Sequence, residues 1–432
     1  MNKKILSLAI PNIISNITVP LLGIIDLAIV GHLDSEVYIG AIALGGVIFN
    51  FIYWSFAFLR MSTSGFTSQS YGERNLEKCI AFLVKALIFA AVTSFFLILF
   101  QKPIAFLSFK IIEGSPDVEQ LALQYFYIRI WAAPASLALY ATSGWLIGMQ
   151  NAKTPMVIAI TVNILNIIFS MLFVVKMGMK SDGIALGTVV AQYSGLFLSL
   201  FFIHKYYKKM YKYLNLKKIL KAGSFKSFLR VNKDIFIRML CIIFVFTFFT
   251  SKSASKNDLI LAVNTLLLQF LLIFSYLIDG FAYAGEALVG KFIGSKNKTS
   301  LNRVIKLLFL WGFGIGFLFT VLYAAGGDFI LRILTDNQDI IAEAAPFKVW
   351  IVFIPILTVA SFVWDGVYIG ATASKAMRNT LLVATLFVFI PTYVIGSQFM
   401  GNHALWLALI LFMSSRGIIQ TIIAKRVIYP LV

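Results

Sequence analysis

The stretch SGWLIGMQNAK (residues 143–153) returns 222 positions later as DGVYIGATASK (residues 365–375). The identities between the two are Gly144 with Gly366, Ile147 with Ile369, Gly148 with Gly370 and Lys153 with Lys375. YGERN (71–75) and IGSKN (293–297) are related by the same offset of 222 positions. Two separate matches at one offset indicate that the second half of the chain repeats the first.

The composition is that of an integral membrane protein. Of 432 residues, 60% are hydrophobic and only 13% charged, and the mean hydropathy is +0.89; soluble proteins are nearer half apolar and a quarter charged. Apolar segments long enough for a helix to cross a bilayer core of ~30 Å are centred near residues 20, 50, 90, 135, 165, 193, 242, 270, 313, 358, 390 and 413. Their continuous apolar character favours helices over a barrel.

The sequence therefore predicts an all-α membrane protein with twelve transmembrane helices in two six-helix bundles, related by a parallel pseudo-twofold repeat. Six spans separate equivalent segments, so both bundles have the same orientation. We expect an N-terminal lobe (1–204), a basic cytoplasmic linker (205–232) and a C-terminal lobe (233–432). The linker is expected to lie on the membrane surface against anionic headgroups, with a regulatory partner site as the alternative.

The net charge of +19 is explained by topology rather than by a nucleic-acid partner. Most Lys and Arg, including a basic connector from Lys205 to Arg238, fall in alternate loops, which is the positive-inside pattern. This pattern predicts a bacterial-type inner membrane protein with both termini in the cytoplasm. The apolar run after MNKKILS is interpreted as the first span rather than a signal peptide, because Pro11 and two asparagines interrupt it and no cleavage site follows. Cys79 and Cys241 predict neither a disulfide framework nor a metal site.

Charged side chains inside the predicted spans indicate a functional or structural role, since placing each one mid-span costs at least ~2.5–3.5 kcal/mol on insertion scales. They are Asp26 in span 1, Arg60 in span 2, Arg129 in span 4, Asp279 and Glu286 in span 8, Asp365 in span 10 and Arg416 in span 12. Asp26 has the alternative of reaching the lipid headgroups. The acids of spans 8 and 10 have the alternative of pairing with Arg416 or Arg60.

Asp26 lies on a span that also carries Pro11 and Pro20, and each proline removes one helical hydrogen bond. Such a helix can bend, so a carboxylate on it can link ion binding to a change of shape. The neutral polar residues predicted to surround this carboxylate are Asn163, Asn166 and Thr188. Residues of this kind also hold membrane helices together, and both interpretations stay open.

Four motifs together resemble the DinF-like branch of the multidrug and toxic compound extrusion (MATE) transporters. They are AIPNIISNITVPLLGIIDLAIVGHL (9–33), GGVIFNFIYWSFAFLRMSTSGFTSQSYG (45–72), DGFAYAGEALVG (279–290) and DGVYIGATASKAMRN (365–379). The resemblance covers nearly the whole chain. It implies a pair of lobes and efflux by cation antiport.

The resemblance also implies roles for single residues. Asp26 matches the carboxylate on which transport depends, and Pro11 matches the proline where its helix bends. Asn166 and Thr188 match members of the same polar network. The family usually has an aspartate four residues after the asparagine, where this chain has Ser170. We expect Ser170 to supply a neutral oxygen to the ion-coupling network around Asp26, and the lost negative charge disfavours Na⁺ more than H⁺.

The carboxy lobe of the family also carries acids, and the resemblance extends to two of them. Glu286 resembles the acid of the eighth span and Asp365 that of the tenth. Whether they bind ions or brace the lobe stays open, as it does for Asp279.

We therefore expect a secondary active antiporter that exports amphipathic, mostly cationic drugs or toxins by alternating access, with Asp26 as the coupling carboxylate. The coupling ion is H⁺ or Na⁺; we expect no cofactor, no metal apart from Na⁺ at Asp26, membrane lipid as the surroundings, and a monomer. Asn50, Tyr53 and Met61 would line the substrate cavity, or only pack.

Other function classes fit less well. A flippase of a lipid-linked precursor is the alternative in the same fold, but it needs several cavity-facing cations for a pyrophosphate, and the predicted spans hold few. A channel is another possible class, but two repeated lobes with isolated intramembrane acids suit alternating access better. The three histidines are scattered and no nucleophile has a base nearby in sequence, so we do not expect an enzyme.

Overall fold

The structure, a computed structural model, describes residues 1–30, 36–112, 115–219 and 222–432. Inside these ranges the side chains of residues 19, 21, 22, 24, 26–28, 30, 36 and 222–224 lie outside the description. The described residues are almost entirely helical and form no β-strand. Eleven of their helical segments are long and apolar enough to cross a membrane, and the first helix adds 29 residues before them. The predicted all-α membrane fold is confirmed, with eleven candidate spans found among the described residues.

The helices of the first half are α1 (Asn2–Val30), α2 (Glu36–Phe56), α3 (Phe58–Gly72), α4 (Leu76–Leu99), α5 (Gln101–Ile111), α6 (Pro116–Arg129), α7 (Ala133–Gly148), α8 (Lys153–Met171) and α9 (Ser181–Tyr207). Those of the second half are α10 (Leu216–Ile219), α11 (Ala222–Ala254), α12 (Asp258–Gly294), α13 (Lys298–Leu334), α14 (Gln338–Ala344), α15 (Lys348–Gly370), α16 (Ser374–Val383), α17 (Ile390–Gly396) and α18 (His403–Val427). A π-helical turn continues α8 over Leu172–Lys176, and another joins α16 to α17 over Ala384–Phe389.

Close helix contacts at glycine repeat in both halves. A Cβ placed on Gly144 of α7 would lie 2.2 Å from the Arg60 carbonyl oxygen of α3, and one on Gly366 of α15 would lie 2.1 Å from the Ala282 carbonyl oxygen of α12. Both glycines and both carbonyls are 222 positions apart. Only glycine allows such an approach of two backbones, so the sequence repeat is also a packing repeat.

The loops after these helices repeat as well. Arg74 and Lys296, again 222 positions apart, have positive φ angles of 56° and 51°, a conformation that costs a non-glycine residue about 1–2 kcal/mol. Each is followed by an asparagine that caps the next helix, because Asn75 Oδ1 accepts from Lys78 N and Asn297 Oδ1 accepts from Ser300 N, both at 2.9 Å. Such caps satisfy amide groups that a helix leaves unpaired.

The chain forms two compact units. One consists of residues 14–228 and the other of residues 1–13 and 229–432. The division falls inside α1, shortly after Pro11. Helix also occupies much of the predicted linker, since α9 runs on to Tyr207 and α11 begins at Ala222.

A buried amide network joins three helices of the second unit. Asn264 of α12 donates from Nδ2 to Ser253 Oγ of α11 at 2.7 Å and to Asn402 Oδ1 at 2.9 Å. Its Oδ1 accepts from Asn402 Nδ2 and from the indole N–H of Trp406 on α18, both at 2.9 Å. Every polar atom of this buried amide pair of asparagines has a partner, which is the condition under which such a network stabilises a core.

Candidate functional site

In the unit of residues 14–228, the predicted polar residues of spans 5 and 6 come together. Asn166 of α8 donates from Nδ2 to Thr188 Oγ1 of α9 at 2.9 Å, and Thr188 donates to the Ile184 carbonyl at 3.0 Å. Asn166 is 1% and Thr188 6% exposed. The two helices lie close here because Gly187 packs on Ser170, where an added Cβ would be 2.6 Å from Ser170 Oγ.

Two oxygens of this cluster are buried without a hydrogen-bond partner in the described part of the chain. They are Asn166 Oδ1 and Ser170 Oγ, which lie one helical turn apart on the same face of α8. An unpaired buried oxygen costs about 1–3 kcal/mol, and such exceptions in a native fold call for an explanation. Two convergent neutral oxygens are suited to help hold a small cation or a protonated carboxyl group, but they supply no negative charge themselves.

Asn163 connects this cluster to α1. Its Nδ2 donates to the Thr18 carbonyl at 3.2 Å. Asp26 lies eight residues beyond Thr18 on α1, which is about 12 Å along a helix axis. The side chain of Asp26 itself lies outside the described residues.

The two prolines of α1 do not interrupt it. The helix continues through the buried Pro11 and the half-buried Pro20. Next to the first of them, Asn12 Nδ2 donates to the Leu8 carbonyl at 2.8 Å. That α1 bends at these positions during transport stays a prediction.

The residues predicted to line a substrate cavity are distributed over two helices. Asn50 of α2 is exposed, and Tyr53 is half-buried with its ring centroid 5.7 Å from that of Phe49. Met61 lies half-buried on α3, after a break at residue 57. Their role as lining residues stays a prediction.

Arg129 on α6 is held by aromatic rings. Its guanidinium donates to the Tyr125 hydroxyl and lies 5.1 Å from the centroid of the Phe49 ring and 5.4 Å from that of Tyr125. Cation–π contacts of this kind stabilise a half-buried guanidinium by about 1 kcal/mol.

In the second unit, Asp365 of α15 pairs with two arginines. Arg238 Nη2 of α11 and Arg416 Nη2 of α18 both donate to Asp365 Oδ2 at 2.5 Å. Gln420 Nε2 donates to the other carboxylate oxygen at 3.4 Å. Asp365, Arg238 and Arg416 are 8%, 4% and 3% exposed, so this ion triad is part of the core. The carboxylate is already neutralised by two cations and is poorly placed to accept a third.

A second ion pair lies one turn away on α11. Arg378 Nη1 of α16 donates to Asp234 Oδ1 at 2.6 Å, and Ser374 Oγ donates to Asp234 Oδ2 at 2.9 Å. Asp234 is buried. Together with the triad, this pair connects α11 to the helices on either side of the loop at residues 371–373.

The other predicted acids of this unit lie on α12. Glu286 is 1% exposed, and its backbone carbonyl is next to Gly370, where an added Cβ would lie 2.6 Å from the oxygen. Asp279 is half-buried, two turns earlier. Their roles stay predictions.

Arg238 is a buried charge that was not predicted from the sequence. Grouping it with the basic connector was wrong, because α11 begins at Ala222 and has already entered the core at Arg238. A signal was present in the sequence: Arg238 follows Asp234 by four residues, and the next thirteen residues carry no charge. This spacing places both on one helix face, as is typical of a helix that meets buried partners.

Metal ligands do not cluster in the described ranges: no three His, Cys, Asp or Glu residues there come close enough to hold a metal ion.

Comparison with known proteins identifies the family. The family model MatE matches residues 11–172 and 235–394, one match in each half. The chain belongs to the MatE family. DNA damage-inducible protein F of Escherichia coli (strain K12) is 36% identical over 425 residues, which are 98% of this chain and 92% of that protein. The resemblance to MATE transporters of the DinF-like branch is confirmed, and the chain is a transporter rather than an enzyme.

More distant relatives agree on the fold. Protein DETOXIFICATION 42 of Arabidopsis thaliana is 25% identical over 352 residues, covering 80% of this chain and 65% of its own length. The crystal structure of the Vibrio cholerae MATE transporter VcmN in the bent form superposes with a TM-score of 0.86 at 15% identity, covering 99% of this chain and 97% of that one.

Proposed function

We propose that this MATE-family protein is a secondary active antiporter. It exports amphipathic, mostly cationic drugs or toxins by alternating access, in exchange for H⁺ or Na⁺. Asp26 is the coupling carboxylate: it holds the ion in one state and releases it when the cationic substrate binds.

The observation that carries this proposal is the pair of unpaired buried oxygens on α8, considered with the position of Asp26. Consecutive spans alternate in direction, so the first and the fifth, α1 and α8, run the same way. The Asn163–Thr18 bond sets their relative height. Eight residues beyond Thr18 is Asp26, and eight beyond Asn163 is Met171, next to Ser170. The coupling carboxylate and the neutral oxygens are thus expected at the same depth in the membrane.

The nature of the site favours H⁺ as the coupling ion. Carboxylate and neutral oxygens suit a hard cation, and a bound Na⁺ is best held by more than one negative charge. Ser170 stands where the family usually has an aspartate, so Asp26 would be alone in balancing Na⁺. A single carboxylate is sufficient to carry a proton.

We propose that Asp365 braces the second unit rather than couples ions, because its Oδ2 accepts from both Arg238 and Arg416. The same pairing weakens the flippase alternative, because Arg416, one of the few cations in the predicted spans, is occupied by a carboxylate rather than available to a pyrophosphate. Asp279 and Glu286 are proposed as second-rank candidates for ion binding.

The membrane location, the topology and the partners are proposed on the same grounds. We propose an inner-membrane, multi-pass monomer with both termini in the cytoplasm, since the charge distribution obeys the positive-inside rule. Its partners are small amphipathic cations and membrane lipid, and it needs no cofactor other than the coupling ion.

The test is gradient-driven transport in proteoliposomes. Purified protein is reconstituted with a fluorescent organic cation, and a pH gradient or a Na⁺ gradient is imposed separately. We expect uphill movement of the dye with the native protein and at least a hundredfold loss in Asp26→Asn, which keeps the size of the side chain but cannot titrate.

Asp117→Asn is the matched control, because Asp117 is an exposed residue at the start of α6 and its loss of charge is the same. If the native protein moves no organic cation under either gradient, the proposed function is wrong. If Asp26→Asn transports normally, coupling lies elsewhere, and Glu286 is the next residue to test.

A further inference from the structure

An apolar groove runs along two membrane-spanning segments of the second unit. It has a volume of about 310 Å³ and lies between α11 and the segment of residues 374–396. Its apolar lining includes Ile237, Leu240 and Phe244 on α11, and Leu382, Leu386 and Ile390 on the facing segment. Leu240, Phe244 and Leu386 are 40%, 43% and 51% exposed, so the groove is open along its length.

Basic residues meet at one end of this groove. On α11, the exposed Lys233 lies one turn before Ile237 on the same face, and the exposed Arg230 lies about one turn earlier. On α16, the exposed Lys375 lies two turns before Leu382. The bonds of Asp234 to Ser374 and Arg378 show that these ends of the two helices are adjacent.

The charges at this end do not cancel. Asp234 and Arg378 neutralise each other as an ion pair. Arg230, Lys233 and Lys375 then remain as three positive charges. An apolar groove that ends in excess positive charge is complementary to a molecule with an apolar tail and an anionic head.

The distance from the basic residues to the far end of the groove fits a membrane lipid. From Lys233 to Phe244 is eleven residues, or about 16 Å along α11, and one leaflet of the hydrocarbon core is about 15 Å deep. The basic end is the one that the positive-inside pattern assigns to the cytoplasmic leaflet, whose anionic lipids attract basic residues at the membrane surface.

We propose that this groove binds a phospholipid with a net negative headgroup. One acyl chain lies between α11 and residues 374–396, and the phosphate lies beside Lys233 and Lys375. The site is distinct from the proposed coupling site, which belongs to the other unit, and it does not depend on the proposed transport function.

The test uses native mass spectrometry of the full-length protein in detergent, with added phosphatidylglycerol or phosphatidylcholine of identical acyl chains. We expect phosphatidylglycerol to bind at least tenfold more tightly. Lys233→Gln and Lys375→Gln should each weaken phosphatidylglycerol binding about fivefold and leave phosphatidylcholine unchanged. Lys306→Gln is the control, since Lys306 is an exposed lysine on α13 of the same unit.

Two further measurements locate the chain of the lipid. Leu386→Trp fills the groove and should weaken binding of both lipids, and a phosphatidylglycerol with a photoreactive diazirine on its acyl chain should crosslink to residues 237–244 and 382–390. The proposal is overturned if the two lipids bind equally, if the lysine variants behave as Lys306→Gln does, or if the crosslinks fall elsewhere. The proposal is also overturned if a fluorescent organic cation reduces the yield of crosslinking and unlabelled phosphatidylglycerol does not, because the groove would then bind substrate.

Discussion

The ion triad around Asp365 offers a sharp test of whether the carboxy-terminal acids brace the fold or bind ions. Asp365→Asn keeps the shape of the side chain but removes the negative charge that Arg238 and Arg416, both almost fully buried, share. Removing one partner of a buried ion pair typically costs about 3–5 kcal/mol. Because two guanidiniums donate at 2.5 Å to the same oxygen, we expect the upper part of that range, a change of more than about a thousandfold in the unfolding equilibrium.

The measurement is the free energy of unfolding in detergent, followed by tryptophan fluorescence, since Trp364 and Trp406 lie in the same unit. Asp336→Asn on the surface of this unit is the control and should be neutral within about 0.5 kcal/mol. Arg416→Gln added to Asp365→Asn should recover part of the loss, because only one buried guanidinium then lacks the Asp365 carboxylate. Variant protein that does fold should transport with the native dependence on H⁺ or Na⁺. The bracing role is refuted if Asp365→Asn is as stable as the native protein while its ion dependence changes.

Three further predictions concern packing and the ion site. Gly366→Ala should lower the free energy of unfolding by about 1–3 kcal/mol or more, because α15 and α12 must separate by about 1 Å to relieve the contact with the Ala282 carbonyl. A thermal melt in detergent measures this change, and an unchanged melting temperature would contradict the prediction. Asn264→Leu should lower the free energy of unfolding by about 3 kcal/mol or more, since it leaves the buried Asn402 amide and the Trp406 indole N–H without their partner. Equal stability of variant and native protein in the same melt would show that the network contributes little. Ser170→Asp should lower the Na⁺ concentration for half-maximal transport about tenfold, because a second carboxylate need add only about 1.4 kcal/mol to the free energy of Na⁺ binding. Ser194→Asp on α9 is the control. An unchanged Na⁺ response of Ser170→Asp would place Ser170 away from the ion.

The fold was largely predictable because its causes are local. Composition and run length determine that helices cross a bilayer, and the offset of 222 positions identified the repeat. The structure adds the physical reason for that offset. Gly144 and Gly366 recur because each lets a backbone carbonyl approach closer than any side chain would permit.

The functional site was predictable only in part. Asn166 and Thr188 were assigned to one polar network, and the structure brings them together at 2.9 Å. The partners of Asp365 were not all found, because Arg238 is 127 positions away on another helix and no periodicity specifies which helices pack together. The charge count was also misleading, since a basic residue near a loop looks like a topology signal whether it faces lipid, water or a buried acid.

If Asp26 exchanges its ion for the cationic substrate, binding of the substrate must release that ion from the protein. Purified protein in weakly buffered, Na⁺-free detergent is mixed with an organic cation while a pH-sensitive dye records released protons; a parallel experiment records displacement of radioactive Na⁺. We expect release of about one ion per protein molecule from the native protein and none from Asp26→Asn, with Asp117→Asn behaving as the native protein does. Equal release from the native protein and from Asp26→Asn would show that another group carries the ion.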